Sequence, residues 1–311
     1  MGTPIEMHFT NARELLDFVS PLNPIWDVGT HIFRGQSSQH KLTPFICRRG
    51  KGSFADGSPR KAFAFSYSDQ VKYEITVIKQ FLLSCDRSGL IVPGYTEETK
   101  SRITSDPGTF LSAHDPWPQR QVYEILAAAQ HYGVPTRLLD WTERSFVSCY
   151  FAASGANFEV SSHDDRIAIW ALDTSNSKDW KSVSIIRTPG GSSKNQAAQS
   201  GVFTTHKVSH VTYADFYQPE ALEEVDEIYG PSGEASVLMK MTLPVREAPS
   251  LLRMCSKLGV DASTLFPGYQ GVAQSVRDWA KMEIGIKPTN EFYNDYHGNQ
   301  YDDSDIDIDM S

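Results

Sequence analysis

Apolar side chains recur at helical spacing in six stretches of the sequence. The first stretch begins after Asn11, whose spacing to Glu14 is that of a capping box. Gly259 follows the fifth stretch and predicts its end. We predict helices over residues 12–19, 68–84, 118–130, 146–153, 251–258 and 272–282.

Shorter apolar runs predict strands at residues 31–33, 166–172 and 235–243. Between them, residues 48–61 have the Gly, Ser and basic composition of an exposed loop, and residues 93–118 predict a long connection. Strands occur early and late, without regular alternation with helices. This order predicts an α+β fold.

The composition fits a globular protein with one large core. The chain has 311 residues, 40% of them hydrophobic. We expect a single domain over residues 1–288, with an inserted part at about residues 48–118, and an acidic, disordered tail at residues 289–311. The net charge of −9 falls to about −2 without the seven acidic residues of positions 291–311, which argues against broad nonspecific binding of duplex nucleic acid.

No apolar run approaches the roughly 20 residues of a membrane span, and residues 1–20 lack the layout of a signal peptide. We therefore expect a cytoplasmic protein without a membrane partner. The four cysteines are far apart, which predicts buried thiols and not a zinc site. His206 and His210 have the spacing of a helical metal pair, but their β-rich context favours surface histidines, and we expect no metal site.

One unusual group of residues is Phe33-Arg34-Gly35-Gln36. It places an arginine at the end of an apolar strand, beside a glycine that lets a ligand approach the backbone. A two-pronged cation in this position favours a phosphate ligand. The alternative is an arginine that pairs with an internal carboxylate.

A second unusual segment, residues 130–142, contains eight side chains that form hydrogen bonds. Such a density of polar groups favours a binding site, since each group needs a partner if it is buried. The alternative is a buried network that fixes a turn, in which Arg137 pairs with Asp140 and Thr142 is the N-cap of the next helix.

These segments resemble the FRG-domain family, whose name describes its Phe-Arg-Gly motif. The second signature of that family, Gln-His-x-Gly-x-Pro-Thr-Arg-Leu-Leu-Asp-Trp-Thr, corresponds to residues 130–142, and Tyr150-Phe151-Ala152 follows it. Weaker matches lie at residues 198–203 and 265–273, so the resemblance covers about residues 10–282.

A looser resemblance is to ADP-ribosyltransferases. It implies a split mixed β-sheet core with flanking helices, and an enzyme that uses NAD to modify a nucleic acid or a protein. Such an enzyme would act as a bacterial toxin or anti-phage effector, with an unidentified neutralising or effector partner protein. The alternatives are a noncatalytic module that binds a nucleotide or nucleic acid, and a structural domain in which residues 130–142 form only an internal brace.

The same resemblance implies roles for individual residues. The residues expected to bind NAD are Arg34, Gly35, Gln36, Gln130, Tyr132, Thr136, Arg137 and Trp141. The residues expected to take part in catalysis are Arg34, His131, Asp140, Thr142 and Gln199. Gln199 occupies the position where ADP-ribosyltransferases have a glutamate, so the carboxylate would come from Asp140, Glu124 or Glu74.

Overall fold

The computed structural model describes residues 2–26, 31–48, 66–104, 116–157, 162, 164–190, 194–208, 220–231, 233 and 237–284. Seven strands in these residues form one mixed sheet in the order β1-β7-β4-β2-β3-β6-β5. They are β1 (Ile5–His8), β2 (His31–Gln36), β3 (Leu138–Thr142), β4 (Arg166–Asp173), β5 (Val183–Ile186), β6 (Gly201–His206) and β7 (Leu238–Pro244). Only β1 and β7 are parallel neighbours; every other pair in this sheet is antiparallel.

Nine helices accompany the sheet in the same part of the chain. They are α1 (Ala12–Phe18), α2 (Tyr67–Arg87), α3 (Glu97–Thr104), α4 (Tyr123–His131), α5 (Ser145–Ser154), α6 (Lys194–Gln199), α7 (Ala248–Lys257), α8 (Ala262–Leu265) and α9 (Tyr269–Ile284). The side chain of Asn11 caps α1 by accepting a hydrogen bond from the Glu14 amide at 3.0 Å.

Both faces of β4, an interior strand of the sheet between β7 and β2, are buried, which explains its nearly continuous apolar sequence. Ile167 and Ile169 face a cluster formed with α1, α5 and α7. Ala168 and Trp170 face a second cluster, which includes residues 222–229. A third cluster joins α2 and α4 to the β3 and β6 end of the sheet. The sheet is therefore a rigid platform between packed helices.

The α+β class is confirmed, and the six predicted helices and three predicted strands have counterparts in the structure. The four cysteines, all within the described residues, are buried and form no disulfide. None of the helices in the described residues is long and apolar enough to cross a membrane. The arrangement typical of ADP-ribosyltransferases and the extent of the single domain remain predictions.

Two local predictions were wrong. Residues 138–142 form β3, so Thr142 ends a strand and is not a helix N-cap; Arg144 precedes the first residue of α5. The predicted connection at residues 93–118 contains α3 in its described part. Most of the loop predicted at residues 48–61, the whole 289–311 tail and His210 lie outside the described residues.

Candidate functional site

The glycine of the Phe-Arg-Gly motif allows α5 to pack directly on β2. A Cβ atom at Gly35 would lie 1.9 Å from the carbonyl oxygen of Ser148 and 2.7 Å from the amide nitrogen of Ala152. Both atoms belong to the helix backbone and cannot move aside easily. The prediction from the sequence was that this glycine lets a ligand approach; the structure shows that helix packing requires it.

A cleft of about 1160 Å³ opens where β2 and β3 separate. These two strands share a single registered pair, Phe33 with Thr142. The volume is slightly larger than the usual range of small-molecule pockets, roughly 300–1,000 Å³. The lining residues come from both strands, the end of α4, the start of α6 and the segment before α9. They include Arg34, Gly35, Gln36, Gln130, His131, Tyr132, Asp140, Trp141, Thr142 and Gln199. The cleft thus brings together ten of the twelve site residues predicted from the sequence.

Arg34 is anchored to β3 but keeps a donor without a partner. Its side chain is 14% exposed, and Nη1 donates a hydrogen bond to the carbonyl oxygen of Asp140 at 2.7 Å. The same atom lies 3.5 Å from Oδ2 of Asp140. Nε is buried and has no hydrogen-bond partner among the described residues. Burial lowers the pKa of Arg34, and the charge of Asp140 opposes this shift.

The carboxylate of Asp140 is held by a chain of hydrogen bonds. Nε2 of Gln130 donates to Oδ2 of Asp140 at 2.9 Å and to the carbonyl oxygen of Leu138 at 3.2 Å. The hydroxyl of Thr136 donates to Oε1 of Gln130 and accepts from the amide of Leu138. Thr136 is 1% exposed and lies behind the cleft lining, so its contact with the site runs through Gln130.

Arg137 lies outside the cleft, in a buried ion pair with Glu74. Nε and Nη2 of Arg137 lie 2.9 and 2.6 Å from the two carboxylate oxygens. Trp117 and Gln70 also donate to Glu74, each at 2.8 Å. The expected pair with Asp140 does not form: Arg137 pairs with Glu74, and the Asp140 carboxylate lies 3.5 Å from Arg34. Arg137 is thus not placed to bind a ligand in the cleft.

The alternative sources of a catalytic carboxylate are also displaced from the cleft. Glu74 is 2% exposed and forms the ion pair with Arg137. Glu124, in the first turn of α4, packs against Gly94. Neither residue lines the cleft. Among the described lining residues, Asp140 is the carboxylate, and its side chain is 59% exposed.

Thr142 and Gln199 meet at the far wall of the cleft. The hydroxyl of Thr142 donates to the backbone carbonyl of Gln199 at 2.6 Å and accepts from the Arg144 amide at 3.0 Å. Nε2 of Gln199 donates to the carbonyl oxygen of Leu265 at 3.1 Å. The Thr142 proton therefore connects β3 to the end of α6 and is not available as a donor to a ligand.

The aromatic residues of the cleft differ in accessibility. Tyr132 is 76% exposed, whereas Trp141 is 3% exposed and donates its Nε1 proton to Thr204 at 2.9 Å. Of these two residues expected to bind NAD, Tyr132 has a ring that a ligand can reach and stack on. Gln36 is also largely enclosed, and its Oε1 accepts a hydrogen bond from Nε1 of Trp170 at 3.0 Å.

The cleft has more positive than negative charge. Arg48 and Lys194 line the cleft together with Arg34, although neither was predicted from the sequence. Among the described lining residues, these three cations outnumber the single carboxylate, that of Asp140. His40 lines it too. Burial lowers the pKa of His131, and Asp140 opposes this shift. His131 is therefore mainly neutral at pH 7.

A side pocket of about 280 Å³ continues from the Arg34 and Asp140 pair. Its additional walls are apolar and include Phe45, Val134 and Pro135. Charged donors and an apolar pocket thus lie next to each other. This combination suits a ligand that joins an anionic group to a flat, weakly polar group.

Within the described residues, no group of three or more His, Cys, Asp and Glu side chains is arranged to hold a metal ion. Nδ1 of His206 lies 3.4 Å from a carboxylate oxygen of Glu220. Burial and the charge of Arg137 lower the pKa of His206 to about 4, so this ring is neutral at pH 7.

Comparison with known proteins links the cleft to a family. The family model described as the FRG domain matches residues 29–160, which include β2, the motif at Arg34 and the whole 130–142 segment. No curated protein and no solved structure matched the chain. The resemblance to the FRG-domain family is confirmed: the chain carries an FRG domain at residues 29–160.

Proposed function

We propose that the cleft binds NAD as a substrate and that the protein is an ADP-ribosyltransferase-like enzyme that modifies a nucleic acid or a protein. The observation that carries this proposal is Arg34, a largely buried cation whose Nε has no partner among the described residues, in a cleft whose described lining has an excess of positive charge. A role as a bacterial toxin or anti-phage effector in the cytoplasm belongs to the same proposal.

The residues present fit a diphosphate. A buried donor without a protein partner is uncommon in folded proteins, and such a donor commonly binds a water molecule, an ion or a ligand. An anionic oxygen of the ligand at the guanidinium of Arg34 would form a charge-assisted hydrogen bond. Arg48 and Lys194 supply further positive charge in the same cleft. The exposed ring of Tyr132 and the apolar side pocket suit the flat rings of a dinucleotide.

The proposed reaction breaks the bond between nicotinamide nitrogen and ribose C1′, whose electron pair leaves with neutral nicotinamide. A nucleophilic atom of the acceptor then bonds to C1′ and loses its proton. Positive charge develops on the sugar, and Asp140 is the lining carboxylate that would stabilise it. His131 is neutral at pH 7, so it is able to accept the acceptor's proton.

A second candidate function is a noncatalytic module that binds a nucleotide or nucleic acid. The observation that favours it is the environment of Asp140, whose carboxylate accepts a hydrogen bond from Gln130 and lies 3.5 Å from Arg34. Both neighbours reduce the negative charge available to a developing cation. Gln199 adds no charge of its own.

The test is release of nicotinamide from NAD by wild type, Asp140→Asn and a control, Asp17→Asn. Asp17 is an exposed acid paired with Arg13 on α1, outside the cleft. We expect release by wild type and the control, with a loss of about 100-fold or more in Asp140→Asn because an electrostatic partner of the transition state is removed. Binding of NAD without release would support the noncatalytic module. Absence of both would refute the proposal.

A further inference from the structure

Helix α9 has an inverted distribution of polar and apolar side chains. Its buried side carries Gly271 and Asp278, flanked by the partly buried Gln274, Ser275, Lys281 and Met282, of which Met282 packs against the core. Its solvent side carries Tyr269, Val272, Val276 and Trp279, which are 95%, 51%, 59% and 59% exposed. A helix on the surface of a monomer normally has the opposite orientation. In a lone copy of the chain, α9 therefore leaves its apolar side in water.

Contacts on the buried side fix this orientation. The hydroxyl of Tyr150 donates to Asp278 at 2.7 Å, and Gln274 donates to the same carboxylate at 2.8 Å. Lys281 donates to the carbonyl oxygen of Ser154. A Cβ atom at Gly271 would lie 1.9 Å from the carbonyl oxygen of Phe266, so only glycine allows this approach. The helix cannot rotate to bury its apolar side without breaking these contacts.

The exposed apolar residues form one continuous strip. With about 100° per residue, Tyr269, Val272, Val276 and Trp279 fall within an arc of about 120°. Ala273 and Ala280 are exposed in the same arc, and Glu283 lies at its C-terminal end. The four large residues are three, four and three positions apart, which is the spacing of the contact residues when two helices pack side by side. The strip thus matches the face of another helix.

We propose that this strip binds the same strip of a second copy of the chain, with the two α9 helices antiparallel and the two-fold axis at Val276. Residues equally distant from Val276 then face each other. Trp279 of each copy faces the small Ala273 of the other, and Val272 faces Ala280. Large side chains therefore meet small ones on either side of the Val276 pair, which favours close packing.

Charge at the helix ends also supports a second copy of the chain in the antiparallel arrangement. In this arrangement Glu283 of each copy lies beside Tyr269, the first residue of α9 in the other copy. A carboxylate at the positive end of a helix dipole is stabilising. A parallel arrangement would instead place the two Glu283 side chains together at the negative ends.

The exposed area indicates a reversible dimer. Since an aromatic side chain buries roughly 150–250 Å², the exposed fractions of Tyr269 and Trp279 alone correspond to on the order of 300 Å². This area is similar to that of the largest apolar patches on typical monomers. It is smaller than the roughly 800 Å² that each partner buries in a standard interface, so we expect the dimer to dissociate readily. Phe266 and Pro267, just before α9, and Gln270 in its first turn line the cleft, so the second copy would lie near the cleft mouth.

The test is sedimentation velocity on the full chain up to about 100 µM, for wild type, Val276→Glu and Val276→Lys. We expect a wild-type dimer and a dissociation constant raised more than about 100-fold in each variant, because like charges meet without a partner at the two-fold axis. An equimolar mixture of the two variants should form a heterodimer. Ile91→Glu, at a position 96% exposed elsewhere, should leave the dimer unchanged.

Each alternative result overturns the proposal. A monomeric wild type shows that a second copy does not bind this strip. A dimer that survives both substitutions lies on another surface. Two variants that stay monomeric when mixed exclude the antiparallel register at Val276. Because Val276 is 59% exposed, we expect both variants to fold like wild type. Their circular dichroism spectra should match that of wild type, which separates loss of the dimer from loss of the fold.

Discussion

The buried pair of Arg137 and Glu74 predicts a large loss of stability when its cation is removed. The side chains are 6% and 3% exposed, and two hydrogen bonds join them. In Arg137→Met, the Glu74 carboxylate stays in the interior, and its remaining donors among the described residues are neutral: Trp117, Gln70 and the thiol of Cys47. The substitution therefore leaves a negative charge buried without its counter-ion.

Breaking a buried ion pair in this way costs roughly 3–5 kcal/mol. The neutral hydrogen bonds that remain on Glu74 place the expected loss near the lower figure, about 3 kcal/mol. At about 2 °C per kcal/mol for a domain of this size, the melting temperature should fall by about 6 °C.

Differential scanning calorimetry measures this shift. A matched control is Arg13→Met, which breaks an ion pair whose side chains are 72% and 60% exposed and which should leave the melting temperature unchanged. The double variant Glu74→Met with Arg137→Met removes both charges, so it should be more stable than either single variant. Additive losses in the double variant, or a single variant as stable as the control, would refute this account of the pair.

Three further predictions concern single positions. Gly35→Ala should prevent soluble expression or lower the melting temperature severely, because its Cβ would overlap the backbone of α5, whereas Gly190→Ala, with its nearest contact at 3.5 Å, should not. His206 has a folded-state pKa of about 4, below the unfolded value near 6.5, so the unfolded state binds more protons between these pH values. Stability should therefore fall as pH drops from about 6.5 to 4, and the slope should be smaller in His206→Gln; an equal slope would contradict the assignment. Thr136→Val should leave NAD affinity nearly unchanged but slow nicotinamide release, since Gln130 would lose the donor that orients its contact with Asp140; a change in affinity alone would argue against this positioning role.

The candidate site could be predicted to the extent that it depends on local sequence. Arg34 and the residues 130–142 stand out because rare polar groups occur together beside apolar runs, and the structure places most of them in one cleft. Arg48 and Lys194 were missed because each lies in a polar segment with no distinctive pattern. Only the fold brings them to the end of β2.

Partners across long sequence distances could not be predicted. Arg137 is 63 residues from Glu74, and nothing in its neighbourhood distinguishes this partner from the nearby Asp140. The strand β3 was missed for a related reason: its five residues pair with β6 and one residue of β2, and such pairing leaves little signal in a short sequence. The role of Gly35 likewise depends on α5, more than 100 residues away.

The measurement that tests the central claim most directly is calorimetric titration of NAD into wild type and Arg34→Met. We predict binding to wild type and an affinity roughly 10–150-fold lower in the variant, because a hydrogen bond to a charged group contributes about 1.5–3 kcal/mol. The variant without ligand should melt at the wild-type temperature or above, since the substitution removes a buried donor that lacks a partner among the described residues. Equal affinity in the two proteins, or no binding to folded wild type, would contradict the account.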